Sequence, residues 1–297
     1  MDSVTPSRGR IWLMASRPKT LSAAIAPVLV GAAVAYQAGG FRVLPALATL
    51  VVAMLIQIGT NLYNDYADFQ RGADTSDRLG PIRVTQAGLL APKTVRRGAI
   101  LTFAAAGVIG IYLIWVAGWV VALIGLTAIL AGLAYTAGPW PLAYNGLGDL
   151  FTWIFFGFVA VCGTTFVQLQ RVPFPAWMGG LALGALITAL LTVNNIRDIV
   201  SDRSAGRKTI PVIFGRQGGL VEYGFCLGVA YLVPPILYFV TTRNLWHLLP
   251  ILTLPEAVRL FRFIAATQGR ALNQALAGTA RLVLWYGVLM AIGIILS

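Results

Sequence analysis

Two short strings hold four of the ten acidic residues in this chain: Asn61-Leu-Tyr-Asn64-Asp65-Tyr-Ala-Asp68 and Asn194-Asn195-Ile-Arg197-Asp198-Ile-Val-Ser-Asp202. Each closes a long apolar run in a sequence with only ten Asp and Glu among 297 residues. A carboxylate at a membrane boundary is costly to desolvate and marks function by default. In the second string Asn194, Asp198 and Asp202 fall at i, i+4 and i+8, which predicts one stripe on one helix face. In the first, Asn61 stands four before Asp65 and Asn64 four before Asp68. Clustered hard oxygen ligands suit Mg²⁺, which keeps several waters and bridges carboxylates to phosphate oxygens. The bland alternative is solvated helix-end acids. Repetition at two sites, same-face spacing and adjoining bases weigh against it.

The bases complete the chemistry. Arg71, Arg78 and Arg83 follow the first string, and Arg203, Arg207 and Lys208 the second. Two Asp clusters facing one cavity, each flanked by cations, form a device for a metal-bound diphosphate: the ion offsets charge that develops as the diphosphate departs. Arg suits bidentate phosphate contacts, whereas Lys208 acts as a point charge. The competing reading of these bases is a pure topology signal.

The elements that must hold these groups are membrane helices. Hydrophobic residues make up 58%, charged residues 11%, and mean hydropathy is +0.79; soluble domains carry about a quarter charged residues. Apolar runs long enough for a bilayer core predict nine spans, near 19–37, 43–63, 96–116, 119–136, 148–168, 176–196, 218–240, 245–264 and 279–296. The expected fold is an all-α polytopic membrane protein forming one domain over 1–297. A segment at 1–18 and loops at 69–95 and 203–217 would share the cytoplasmic side. With the N-terminus inside, only Arg42, Arg171 and Arg243 of the 22 Lys and Arg fall outside, a decisive asymmetry. This reading places both acid strings at the cytoplasmic face of the plasma (inner) membrane. The net charge of +12 then needs no nucleic acid: topology and anionic phosphate groups account for it. The first 18 residues are polar, and the apolar run after them is too long for a signal peptide. Cys162 and Cys226 lie inside apolar runs and read as small buried hydrophobes. The arrangement of inward helix, Asn/Asp tip, basic loop and outward helix occurs twice. Behind it, a bundle rich in Leu, Ala, Gly, Phe and Trp could hold a long hydrocarbon, with membrane lipid around it.

Five ordered strings resemble a known family: Arg17-Pro-Lys19-Thr20-Leu-Ser-Ala-Ala-Ile-Ala-Pro27, Asn61–Asp68, Gly72-Ala-Asp74-Thr75-Ser-Asp77-Arg78-Leu-Gly80-Pro81, Tyr135 to Asp149, and Asn194–Thr209. They are similar to the UbiA-type intramembrane aromatic prenyltransferases, and within these to 1,4-dihydroxy-2-naphthoate polyprenyltransferases. The resemblance implies nine transmembrane helices around a central cavity. It also implies transfer of a polyprenyl chain from polyprenyl diphosphate to 1,4-dihydroxy-2-naphthoate, with loss of the carboxylate, giving a demethylmenaquinone precursor. Matched residue by residue, Asp65, Asp68, Asp198 and Asp202 would bind Mg²⁺-diphosphate, with Asn61, Asn64, Asn194 and Asn195 adding contacts. Lys208 and Thr209 fall where the family's second loop approaches the diphosphate. One departure stands out. A third Asp of the wider superfamily's first motif is replaced by Gly72, so Asp74 or Asp77 would have to substitute.

Several roles have two readings. Tyr63, Tyr66, Tyr135 and Tyr144 would offer ring faces to an allylic cation or form an ordinary interfacial belt. Arg17 or Lys19 would hold the naphthoate carboxylate or merely anchor the first helix. Asp149 would accept a ring hydroxyl proton or sit as a dipole-favoured helix N-terminal acid. His247 reads as an interface residue and Glu256 as locally paired. Among rival functions, a secondary transporter would place its charges near the midplane, and a CDP-alcohol phosphotransferase would need an Asp-Gly and Ala-Arg string that is absent. A sibling prenyltransferase with another acceptor, such as hydroxybenzoate or homogentisate, shares all the diphosphate machinery and is the serious competitor.

Overall fold

The apolar runs fold into a bundle of helices, described for residues 6–72 and 79–297 in a computed structural model; no strand forms among them. In chain order the α-helices are α1 (Arg8–Ser16), α2 (Ser22–Gln37), α3 (Val43–Gln70), α4 (Pro92–Ala117), α5 (Val120–Thr136), α6 (Gly148–Thr152), α7 (Ala160–Leu169), α8 (Phe174–Arg197), α9 (Ile199–Ser204), α10 (Ile210–Val240), α11 (Leu254–Ala266) and α12 (Leu272–Ile295). A π-helical stretch, Trp153–Val159, joins α6 to α7.

Among the described residues six helices are long and apolar enough to cross a bilayer: α3, α4, the rod Gly148–Leu169, α8, α10 and Gly269–Ile295. A seventh arises if α1 with Pro18–Thr20 and α2, bent by 54°, are taken as one broken span. The other two expected spans differ from the sequence reading. α5 has 17 residues, and the run expected at 245–264 is broken. Its first part, Leu245–Thr253, winds as a 3-10 helix with Pro250 inside before α11 begins, because proline removes a backbone donor and crowds the preceding turn.

α8 is the axis of the bundle. Ala182, Leu183, Ala185, Leu186 and Ala189 are fully buried along it, against α10, α12 and the π stretch. Small residues permit the approach: a Cβ on Gly157 would lie 2.3 Å from the Gly180 carbonyl and 2.7 Å from the Gly184 Cα. Where lipid is as apolar as leucine, such close backbone packing is what drives helices together.

Element ends position the polar groups. α3 runs for 28 residues. At 1.5 Å per residue that is about 42 Å, longer than the roughly 30 Å hydrocarbon core, so its last two turns carry Asp65 and Asp68 clear of the apolar layer. The expected continuous stripe over 194–202 does not form, since α8 stops at Arg197. Asp198 turns out with φ −100° and ψ 15°, and α9 restarts at Ile199. The loop expected at 203–217 is also shorter, because α10 begins at Ile210 and kinks at Gly215, where φ is 70°. At the same end of the bundle, Arg17 adopts a left-handed conformation and breaks α1 from α2.

Candidate functional site

The α3 tip and the α9 tip meet. Asp68 is 1% exposed, and its two carboxylate oxygens accept from two guanidiniums: Arg83 Nη2 donates to Oδ2 at 3.0 Å and Arg207 Nη2 to Oδ1 at 2.8 Å. Arg207 Nη1 reaches Asp202 Oδ1 at 3.4 Å. One side chain therefore spans both acid strings. Burial by itself would lower the Arg207 pKa, but Asp68 and Asp202 push it above the ordinary arginine value, so the guanidinium stays charged. A buried carboxylate needs such partners, because desolvating an unmatched charge costs several kcal/mol.

Asp65, 2% exposed, is only half satisfied. Its Oδ2 accepts the Val84 backbone N–H at 3.1 Å; Oδ1 is buried with no partner at strict hydrogen-bond geometry, although the Thr85 hydroxyl and backbone N–H stand near enough to favour the carboxylate. The Arg17 guanidinium lies within electrostatic reach of this carboxylate. Above the cluster, the Tyr144 ring sits between Arg71 at 5.2 Å and Arg207 at 5.3 Å, measured from guanidinium carbon to ring centroid. The short turn Leu142–Tyr144 reaches this place because Gly146, with φ +75°, passes close to the Lys208 carbonyl.

Asp198 has a separate setting. Arg197 grips it with Nε to Oδ1 at 2.8 Å and Nη2 to Oδ2 at 2.5 Å. Arg197 Nη1 also donates to Asn273 Oδ1 at 2.7 Å, and Asn273 Nδ2 donates to the Leu79 carbonyl at 2.9 Å. Asn273 on α12 thus ties the second acid string to the far side of the first loop. Neither Arg197 nor Asn273 stood out as a site residue in the sequence, where one looks like a topology charge and the other like an isolated amide.

Behind the tips lies a cavity of about 550 Å³ enclosed by α2, α3, α4, α5, α7, α8 and the π stretch. Its polar wall includes Arg17, Thr20, Gln57, Asn61, Asn64, Tyr135 and Asn194; apart from a few threonines the rest is apolar, including Phe151, Phe155 and Phe156. The amides on this wall are partly committed to the frame. Asn61 Nδ2 donates to the Ser16 carbonyl at 3.1 Å and to Thr20 Oγ1 at 3.2 Å, while Thr136 donates to Asn64 Oδ1 at 2.7 Å. Asp149 is buried beneath, its Oδ1 accepting from Asn195 Nδ2 at 3.2 Å. Glu222 on α10 lies near it.

Other expected site residues stand apart. Tyr63 packs with Tyr66 at a centroid distance of 6.1 Å and lines a second groove, which shares only Ile129 with the cavity. Lys19, Arg203 and Lys208 are exposed, and Arg203 caps the Val212 carbonyl at 3.2 Å. Asp74 and Arg78 lie outside the described residues.

For a divalent cation the donors are of the right kind, all carboxylate oxygen, and Asp65 Oδ1 is an orphaned acceptor. No cluster of three such residues poised for a metal exists among the described residues. Arg207 stands as the positive charge between Asp68 and Asp202. The donor set fits a hard cation shared with an anionic ligand.

The model of the UbiA prenyltransferase family matches residues 24–285. The chain belongs to the UbiA prenyltransferase family. Relatives include the 1,4-dihydroxy-2-naphthoate octaprenyltransferase of Escherichia coli, 36% identical over 98% of this chain and 97% of that protein, and its Bacillus subtilis counterpart, 32% identical over 98% and 94%. The fold is that of solved UbiA homologues. The apo protein from Aeropyrum pernix superposes with a TM-score of 0.70 at 19% identity, covering 93% of this chain and 97% of that one. The Archaeoglobus fulgidus homologue bound to GPP and Mg²⁺ gives 0.68 at 15% identity, covering 95% and 100%. As a family member the protein is a membrane-embedded prenyltransferase, which displaces the transporter and phosphotransferase readings.

Proposed function

We propose that the protein transfers a polyprenyl chain from polyprenyl diphosphate to 1,4-dihydroxy-2-naphthoate, with decarboxylation, yielding a demethylmenaquinone precursor. The observation that carries it is the convergence of two acid tips on Arg207 at the mouth of an apolar cavity. The naphthoate acceptor rests on relatives of that name aligned over nearly the whole chain. In this reading the chain crosses the membrane nine times, the N-terminus is cytoplasmic, and the site opens to the cytoplasmic face of the plasma membrane.

Asp65, Asp68 and Asp202 would hold Mg²⁺, with Asp198 and Asp74 as further acids of the two motifs; the ion offsets diphosphate charge as the allylic C–O bond breaks. Arg83 and Arg207 hold the departing diphosphate, joined by Arg78, Arg203 and Lys208 from the loops. The Tyr144 and Tyr135 ring faces stabilise the allylic cation. Arg17 orients the naphthoate carboxylate at the cavity wall. The electron-rich ring carbon forms the new C–C bond, and loss of CO₂ restores aromaticity. Asp149, steadied by the Asn195 amide, accepts a ring hydroxyl proton. The apolar cavity excludes water from the cation, whose hydrolysis would waste the donor.

The test incubates the purified protein in lipid with Mg²⁺, a polyprenyl diphosphate and, separately, dihydroxynaphthoate, hydroxybenzoate or homogentisate, and identifies products by mass spectrometry. A decarboxylated prenyl naphthoquinol from the first acceptor alone is the expected result. Product from another acceptor, with none from naphthoate, assigns the chain to a sibling activity.

A further inference from the structure

On the side of α3 away from the acid cluster, a second groove of about 510 Å³ is lined by Tyr63 and Tyr66 from α3, Arg96, Ala99, Ile100 and Phe103 from α4, and Ile129 and Leu133 from α5. It is amphipathic along its length. At the end shared with the catalytic tips, the Arg96 guanidinium lies 5.9 Å from the Tyr66 ring centroid, and Tyr63 stands beside it. Towards the bundle's middle the walls are Phe103, Ile129 and Leu133. From Arg96 to Phe103 is seven residues, about 10 Å along a helix, well inside one leaflet of a core some 30 Å thick.

The cations here lack acidic partners. Lys93, Arg96 and Arg97 are exposed on the first turns of α4, and none is ion-paired with a carboxylate among the described residues. Elsewhere at this end, Arg83, Arg197 and Arg207 each meet an aspartate. Unmatched positive charge beside an apolar trough is complementary to one kind of molecule, an anion with hydrocarbon attached.

We propose that this groove is a specific site for an anionic glycerophospholipid of the adjoining leaflet. The phosphodiester sits at Arg96 with the Tyr63 and Tyr66 hydroxyls as donors, and one acyl chain lies against Phe103, Ile129 and Leu133. A prenyl diphosphate fits less well. It carries more charge than Arg96, the one cation that lines the groove, offsets, and the carboxylates that could recruit a metal lie on the other side of α3. The site backs directly onto the helix that carries Asp65 and Asp68, so an occupying lipid braces the catalytic tip from behind.

Native mass spectrometry on the delipidated full-length protein tests this, with phosphatidylglycerol and phosphatidylcholine of identical chains titrated in turn. The expected result is one saturable phosphatidylglycerol adduct, bound about ten-fold more tightly than phosphatidylcholine, the size of one charge-assisted hydrogen bond. Arg96→Gln should remove that preference, and Ile100→Trp, which fills the trough, should weaken the adduct while sparing Arg96. Equal binding of the two lipids, or undiminished phosphatidylglycerol binding by both variants, overturns the proposal. Displacement of the adduct by geranylgeranyl diphosphate without Mg²⁺ also overturns it, by making the groove a donor site. None of these readouts depends on which aromatic acceptor the enzyme uses.

Discussion

Asp68 and Asp202 share one guanidinium: Arg207 donates to the first at 2.8 Å and approaches the second at 3.4 Å. This pairing closes the two acid strings into one site. It also means that the arginine and any divalent cation compete for the same aspartate oxygens.

Arg207→Ala is expected to raise KM for the prenyl diphosphate at least ten-fold while changing KM for the acceptor little, since one charge-assisted contact is worth about 1.5–3 kcal/mol. Arg207→Lys should recover only part of the loss, because an ammonium is a point charge and lacks the fork that reaches both carboxylates. Steady-state kinetics with each substrate varied decides it; a larger effect on acceptor KM refutes the assignment.

Asp68→Asn should lower kcat by about 10²–10³, the usual cost of removing one preorganised electrostatic group. It should also reduce thermal stability in detergent, because Arg83 and Arg207 then lose their shared buried partner. Asp65→Asn leaves no such pair behind, so its activity should fall with a smaller change in melting temperature. Measuring both quantities for both variants separates the two aspartates.

Chelation with EDTA should abolish turnover, and Mg²⁺ should restore it. In Asp65→Asn the Mg²⁺ concentration for half-maximal rate should rise several-fold, because the orphaned Oδ1 is the oxygen most available to a cation. An unchanged Mg²⁺ dependence in that variant removes Asp65 from the ligand set.

Asn273→Ala should cut the tie between Arg197 and the Leu79 carbonyl. We expect a three- to ten-fold fall in kcat/KM for the diphosphate, on the order of one net hydrogen bond of about 1 kcal/mol. Asn273→Asp, which keeps the acceptor for Arg197 and loses the donor to Leu79, should lie between wild type and alanine. Equal kinetics in all three would show the tie to be irrelevant to binding.

Gly157→Ala is expected to destabilise the fold by about 1–3 kcal/mol, the range for overpacked cores, since its Cβ would meet the Gly180 carbonyl at 2.3 Å. Gly107→Ala, where a Cβ meets nothing within 4 Å, is the matched control. Thermal unfolding in one detergent reads the difference.

Class, membrane helices and the pairing of the two acid strings were legible because charge is so scarce that each carboxylate at a run's end stands out. Arg207 was legible for the same reason, as a base within a few residues of an acid motif. What escaped the sequence was direction. Tyr63 and Tyr66 share an end of α3 with Asp65 and Asp68, yet the helix turns Tyr63 to a different groove. The stripe at 194, 198 and 202 assumed an unbroken helix, and the chain instead pivots at Asp198. Asn273 could not be singled out at all, because a long-range tie between α12 and Leu79 has no local spacing to announce it.

The π-helical stretch at Trp153–Val159 sits between Asp149 and α7 on a single rod. Its wider winding sets the rotational phase between the two ends. Were the same seven residues to wind as a regular α-helix, Asp149 would swing by about 100° relative to the wall formed by α7. The enzyme's buried acid is thus clocked into place by the wide turns, and that winding is worth preserving in any redesign of the cavity.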